Sequence, residues 1–135
     1  MSLVLDTGVL YAYYDRRDAW HEQVLPLLDE ERGIRVLPAP VIPEIDYFLD
    51  KRLGTSARLA FYEDIERGVY IVIALPSEHY ARVFDLNRRY QDLGLGFVDA
   101  AVITIAETLG IGRVATTDRR HFSAVSATIA LELLP

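Results

Sequence analysis

The sequence predicts an α/β fold: a mainly parallel central sheet of about five strands with helices on both faces, in a single domain over residues 1–135. Three observations carry this. Short apolar runs, such as Leu3-Val4-Leu5 and the β-branched stretch 69–75, have the unbroken hydrophobicity of strands buried on both faces. The segments between them place apolar residues three and four apart, the period of a helix packed on one side. The two kinds of segment alternate, and strands joined through helices pair in parallel with right-handed crossovers. A chain of 135 residues is long enough to bury roughly two-thirds of its unfolded surface around one core.

The first strand, residues 3–5, runs straight into Asp6-Thr7-Gly8, and residues 8–14 follow as a short helix or turn. Asp18 is placed to cap a helix over 19–28 with Trp20, Val24, Leu27 and Leu28 as its apolar stripe. Arg32-Gly33 ends that helix, and a second strand at 34–37 stops at Pro38-Ala39-Pro40. Residues 41–53 form a helix with Pro43 tolerated in the first turn, Ile45, Phe48, Leu49 and Leu53 inward, and Gly54 at its end. Thr55 or Ser56 caps the next helix, 57–66, with Leu59, Tyr62 and Ile65 inward, and Gly68 breaks it. Residues 69–75 are the clearest strand by β-branched content. Ser77 then caps a helix reaching residue 91 that buries Tyr80, Val83 and Phe84. After the loop Gly94-Leu95-Gly96, Asp99 opens a helix to residue 109 with Val102, Ile105 and Ala106 inward, and Gly110 is its C-cap. Strands at 113–117 and 129–134 complete the sheet. Asp118 stands at the end of the former just as Asp6 does at the end of the first.

Composition narrows the function classes. A net charge of −6 opposes nucleic-acid binding unless the basic groups cluster. Of the 14 basic residues only Lys51 is lysine, and arginine is the better bidentate phosphate ligand. The pairs Arg16-Arg17, Arg88-Arg89 and Arg119-Arg120 read first as solvated faces. The absence of cysteine removes disulfides and thiolate metal sites and fits a reducing compartment. No apolar run approaches the roughly 20 residues of a membrane-spanning helix. The N-terminus has no basic region of a secretion signal, so a cytoplasmic location with no membrane partner is expected. No Gly-x-Gly-x-x-Gly follows the first strand, which removes a dinucleotide-binding reading.

Four carboxylates fall at element boundaries: Asp6 and Asp118 after strands, Glu44 and Asp99 at helix starts. In a parallel sheet the strand carboxyl ends and the following helix amino ends share one rim, where ligand crevices form. Four acidic groups brought together there repel one another unless a cation is present. An all-oxygen donor set selects Mg²⁺ or Mn²⁺ over zinc, and such an ion activates water and neutralises a scissile phosphate. Each residue alone has a plainer reading, as a turn residue, a cap or a first-turn charge.

Four stretches, Leu3-Val4-Leu5-Asp6-Thr7, Pro43-Glu44-Ile45, Gly96-Phe97-Val98-Asp99-Ala100-Ala101 and Ala115-Thr116-Thr117-Asp118-Arg119-Arg120-His121-Phe122, resemble the PIN-domain family. More narrowly they resemble VapC-type ribonuclease toxins of bacterial toxin–antitoxin pairs. The resemblance covers nearly the whole chain, and the last motif is its most specific part. It implies a PIN-like fold and Mg²⁺- or Mn²⁺-dependent endonuclease chemistry on RNA. It carries an acidic quartet over to Asp6, Glu44, Asp99 and Asp118, with Asp6 and Asp99 as main metal ligands. Glu44 and Asp118 then hold a second ion or orient the attacking water. Thr116 matches a small hydroxyl residue that orients a ligand carboxylate. The resemblance also implies a homodimer and an antitoxin protein whose C-terminal segment blocks the site.

Other residues carry two readings. Arg119 and Arg120 lie beside the proposed metal edge and either position RNA phosphates or are solvated. His121 touches the phosphate backbone or packs with Phe122, the latter being favoured. Tyr11, Tyr13, Tyr14 and Trp20 stack bases or, more simply, serve the core or an interface. Two competing functions differ in class. Phosphotransfer from Asp6, as in haloacid dehalogenases, wants a second aspartate two residues on, where Gly8 stands. A non-catalytic PIN-like module that binds RNA or protein would not need all four acids.

Overall fold

The computed structural model describes residues 1–135. Five strands, β1 (Leu3–Leu5), β2 (Arg35–Pro38), β3 (Ile71–Ile73), β4 (Arg113–Ala115) and β5 (Glu132–Leu134), form one sheet in the order β3-β2-β1-β4-β5. Every pairing is parallel, with Val4 opposite Val36 on one side and Val114 on the other. Seven helices connect and cover it: α1 (Thr7–Tyr14), α2 (His21–Asp29), α3 (Ile42–Leu53), α4 (Thr55–Glu66), α5 (Tyr80–Arg89), α6 (Gly96–Leu109) and α7 (Arg119–Ala124). The chain moves outward from β1 to β3, then crosses back to β4 and β5. Right-handed crossovers therefore place α1 to α4 on one face and α5 to α7 on the other. The expected α/β architecture is the observed one.

The core follows from the central elements. β1 is flanked on both sides and covered on both faces, so all three of its residues are buried. α6 packs against β1 and β2 and is enclosed from Ala100 to Ala106, where its alanines allow close approach to the sheet. It ends at Gly110, whose left-handed backbone (φ +67°) serves the expected C-cap. Sheet order reverses between β1 and β4, whose neighbouring connections leave in opposite directions. That divergence opens a crevice at their carboxyl ends.

Several local expectations shift. Asp18 does not cap α2; its Oδ1 accepts the Trp20 N–H (2.8 Å) in a turn just before the helix begins. In α4 the buried residue is Phe61, whose ring meets Tyr14 and Tyr70, while Leu59 and Tyr62 are exposed. The helix is rotated so that its one fully buried ring fills the space beside α1. In α5, Val83 and Leu86 are buried but Tyr80 and Phe84 face outward, with Tyr80 against Phe97 and Arg88 over Phe84. The β-branched stretch around β3 is an edge strand with Ile71 and Val72 exposed, because only β2 pairs with it. The sequence pattern did not announce α7, whose one and a half turns are too short for a helical period to show.

Candidate active site

The carboxyl rim between β1 and β4 holds the chemistry. Asp6 follows β1 directly and is the N-cap residue of α1, and its backbone N–H donates to the Ala115 carbonyl (3.0 Å). This extra rung of the β1–β4 ladder fixes Asp6 in the crevice, where it is 5% exposed. Glu44 sits in the first turn of α3 and Asp99 in the first turn of α6, both half-buried, where the helix amino ends favour negative charge. Asp118 caps α7, its Oδ1 accepting the His121 N–H (3.2 Å). All four carboxylates line a single cleft of about 230 Å³, together with Thr7, Gly8, Tyr11, Phe48, Arg52 and Thr117.

Thr116 ties the cleft together. Its buried hydroxyl donates to Asp6 Oδ2 (2.9 Å) and accepts the Asp118 N–H (2.9 Å), so one side chain sets both the rotation of Asp6 and the entry to α7. Gly8 makes the close approach possible. A Cβ there would collide with Thr117 Oγ1, so any larger residue would force the Thr117 side chain out of its place at the β4–α7 turn. On the far side of the cleft, His121 Nδ1 lies 2.7 Å from Asp99 Oδ2 and 2.8 Å from Asp118 Oδ2.

The crowding of acidic groups shifts their protonation. The Asp6 carboxyl is pushed up from 3.8 to about 7, chiefly by burial and then by the Asp99 and Glu44 carboxylates, against hydrogen bonds from the Thr7 backbone and Thr116. Burial also raises Asp99, with Asp118 and Glu44 adding to the rise and His121 opposing it. No basic side chain forms an ion pair with Asp6 or Glu44. Thr7 Oγ1, in the same cleft, is buried with no hydrogen-bond partner. Asp6 and Glu44 without a basic partner, the orphaned Thr7 hydroxyl and an all-oxygen set of acids fit a hard divalent cation. Ligand atoms of Asp99, Asp118 and His121 all lie within 4.8 Å of one another.

Two residues in or at the cleft escaped the sequence reading. His121 is turned onto the Asp99 and Asp118 carboxylates instead of packing with Phe122, which alone points into the core. Arg52 lines the cleft with its guanidinium 5.0 Å from the Tyr11 ring centre and 4.7 Å from that of Phe48. A signal for it existed: Glu44, Phe48 and Arg52 are spaced by four along one side of α3. Arg119 and Arg120 do not line the cleft, and the Arg119 guanidinium donates to the carbonyls of Leu133 and Pro135.

The PIN domain family model matches residues 3–127. The chain belongs to the PIN domain family. Among curated PIN-domain relatives it is 29% identical over 123 residues to Ribonuclease VapC26 of Mycobacterium tuberculosis, covering 91% of each chain. Its fold is similar to the crystal structure of M. tuberculosis VapC20, described as a toxin that cleaves the sarcin–ricin loop, with a TM-score of 0.82 and 19% identity over 92% of this chain and 96% of that one. VapBC2 from Rickettsia felis bound to a promoter DNA fragment aligns over 100% of both chains with a TM-score of 0.73 and 16% identity. FitAcB from Neisseria gonorrhoeae aligns over 98% and 96% with a TM-score of 0.71 and 18% identity. In this PIN domain the acidic cleft lies at the point where the sheet order reverses. No helix of the chain is long and apolar enough to cross a membrane.

Proposed function

We propose that this protein is an Mg²⁺- or Mn²⁺-dependent endoribonuclease that hydrolyses RNA phosphodiester bonds, and that it is the toxin of a type II toxin–antitoxin pair. The observation that supports the reading best is the meeting of Asp6, Glu44, Asp99 and Asp118, from four separate elements, in one cleft. Membership of the PIN family, the ribonuclease name of VapC26 and the toxin description of VapC20 support it from outside the chain.

In this reading Asp6 and Asp99 are the main metal ligands, and Glu44 and Asp118 hold a second ion or orient the attacking water. An ion held there would supply an activated water and would offset charge on the scissile phosphate. The chain's own residues keep the acids in position. Thr116 holds Asp6 in one rotamer, and His121 keeps Asp99 and Asp118 together despite their like charge. Burial keeps bulk water from competing for Asp6. Residues 1–135 act as one domain, as a homodimer, and an antitoxin segment covers the cleft. The similar fold of VapBC2 from R. felis, solved bound to a DNA fragment from its own promoter, supports a partner protein.

The test is incubation of metal-stripped, antitoxin-free protein with structured RNA, with and without Mg²⁺ or Mn²⁺. Cleavage is expected only with metal and only from the wild type, not from Asp6→Asn. No metal-dependent cleavage by the wild type, or equal cleavage by Asp6→Asn, overturns the enzyme and leaves a non-catalytic PIN module that binds RNA or protein.

A further inference from the structure

We propose that a basic track leads out of the acidic cleft: Arg52, with Arg16 and Arg17 beyond it, binds the phosphate backbone of the RNA strand beside the bond that is cut. The inference rests on the ribonuclease reading and names the path of its substrate.

Arg52 belongs to two adjoining cavities. One is the cleft with the four carboxylates, and the other is a groove of about 450 Å³ lined by Tyr14, Asp15, Arg16, Arg17 and Leu53. Arg52 therefore stands between the acidic site and the groove and borders both. None of Arg16, Arg17 and Arg52 is in an ion pair, whereas Arg58, Arg82, Arg88, Arg89 and Arg113 are each tied to a carboxylate. The groove's one acid, Asp15, is engaged: its Oδ2 accepts the Tyr11 hydroxyl (2.5 Å) and its Oδ1 the Arg17 N–H (2.9 Å). In a chain of net charge −6 this is a local reversal of sign beside a cleft of four carboxylates.

A phosphodiester strand approaching four carboxylates is repelled, and neighbouring guanidiniums offset that repulsion while leaving the carboxylates free. Arg52 is suited to this. Its guanidinium rests against the Tyr11 and Phe48 rings, so it is held in place before substrate arrives and loses less freedom on binding. Arg16 and Arg17 are exposed and reach the strand further from the cut as simple phosphate contacts.

The experiment measures two things on one set of variants: Arg52→Ala, Arg52→Lys, Arg16→Ala with Arg17→Ala, and Arg32→Ala as a charge-matched control. Arg32 is exposed and unpaired, near Met1 at the amino rim of the sheet. Binding of a fluorescent single-stranded oligoribonucleotide of mixed sequence is followed by anisotropy in EDTA, across a salt series. Cleavage of the same RNA is followed with Mn²⁺. Arg52→Ala is expected to lower kcat/KM by roughly 10- to 100-fold, as for loss of a charged hydrogen bond. Arg52→Lys is expected to recover part of this, because it keeps the charge and loses the fork. Arg16→Ala with Arg17→Ala is expected to raise KM with kcat little changed, and each lost phosphate contact to flatten the salt slope by about 0.7. Thermal unfolding of Arg16→Ala with Arg17→Ala and of Arg32→Ala is expected to match the wild type, and Arg52→Ala to unfold a few degrees lower for loss of its ring contacts while staying fully folded at the assay temperature. Binding and salt slopes equal to those of Arg32→Ala in all track variants, or no RNA binding by the wild type in EDTA, overturn the proposal. Wild-type protein that binds RNA through the track but never cleaves it with Mn²⁺ instead counts against the ribonuclease reading alone.

Discussion

Replacing Asp6 by asparagine is expected to stabilise the metal-free protein, and increasingly so as the pH rises. The carboxyl is raised from 3.8 to about 7 in the folded chain, with burial as the main cause. The folded state thus holds this proton more tightly than the unfolded state does. The stability it contributes is complete below the unfolded value and is lost as the pH climbs through the folded one. Ionising Asp6 in place therefore costs about 4 kcal/mol by about pH 8, of which about 2 kcal/mol is already spent near pH 5. Asparagine carries no charge and its amide oxygen still accepts the Thr116 hydroxyl. Between about pH 5 and pH 8 the advantage of Asp6→Asn over the wild type is expected to grow by about 2–3 kcal/mol, on the order of 10 °C in Tm. The assay is thermal or denaturant unfolding of EDTA-treated wild type and variant over that range. Saturating Mn²⁺ is expected to remove the wild type's loss at high pH and to leave Asp6→Asn unchanged, since binding displaces the proton. Parallel stability curves for the two metal-free proteins from acid to neutral pH would refute the reasoning, because they would mean that burial does not hold the charge of Asp6 away from water.

Further outcomes follow from other contacts. Thr116→Val removes the hydroxyl shared by Asp6 and the Asp118 N–H and is expected to cost about 1–3 kcal/mol in urea unfolding and to weaken Mn²⁺ binding by roughly 10- to 100-fold in calorimetry. Gly8→Ala drives a methyl group into Thr117 Oγ1 and is expected to lower stability by about 1–3 kcal/mol, with a larger proportional loss of RNA cleavage than Arg32→Ala shows. Phe61→Ala is expected to cost about 3–5 kcal/mol because it empties the space between Tyr14 and Tyr70, while Phe84→Ala, at 66% exposure, is expected to stay within about 0.5 kcal/mol of wild type in the same unfolding assay.

Much of the molecule was legible in the linear pattern because it rests on short-range rules. Leu3-Val4-Leu5 can be buried on both sides only in a central parallel strand, and it is the middle of the sheet. Pro43 starts α3 because its fixed φ and missing N–H suit only a first turn, and Gly54 and Gly110 end α3 and α6 because they take the positive φ that other residues resist. Given the alternation of strands and helices, the four acids had to fall on one rim, and they share one cleft. Helix faces were less legible. Leu59, Tyr62, Tyr80 and Phe84 are apolar enough to be core, but Phe61, Val83 and Leu86 took the inward side because each helix has only one neighbour-facing stripe.

What the amino-acid order determined by itself is the set of elements and the rim on which Asp6, Glu44, Asp99 and Asp118 stand, since both depend on periodicity and chain direction. Only the tertiary structure decided which side chains complete that rim. His121 meets Asp99 across a separation of 22 residues, Thr116 meets Asp6 across 110, and Arg52 reaches the cleft by resting on a ring from another helix. Contacts of that kind depend on how helices are rotated and how closely a glycine lets two elements approach, and no local propensity encodes either.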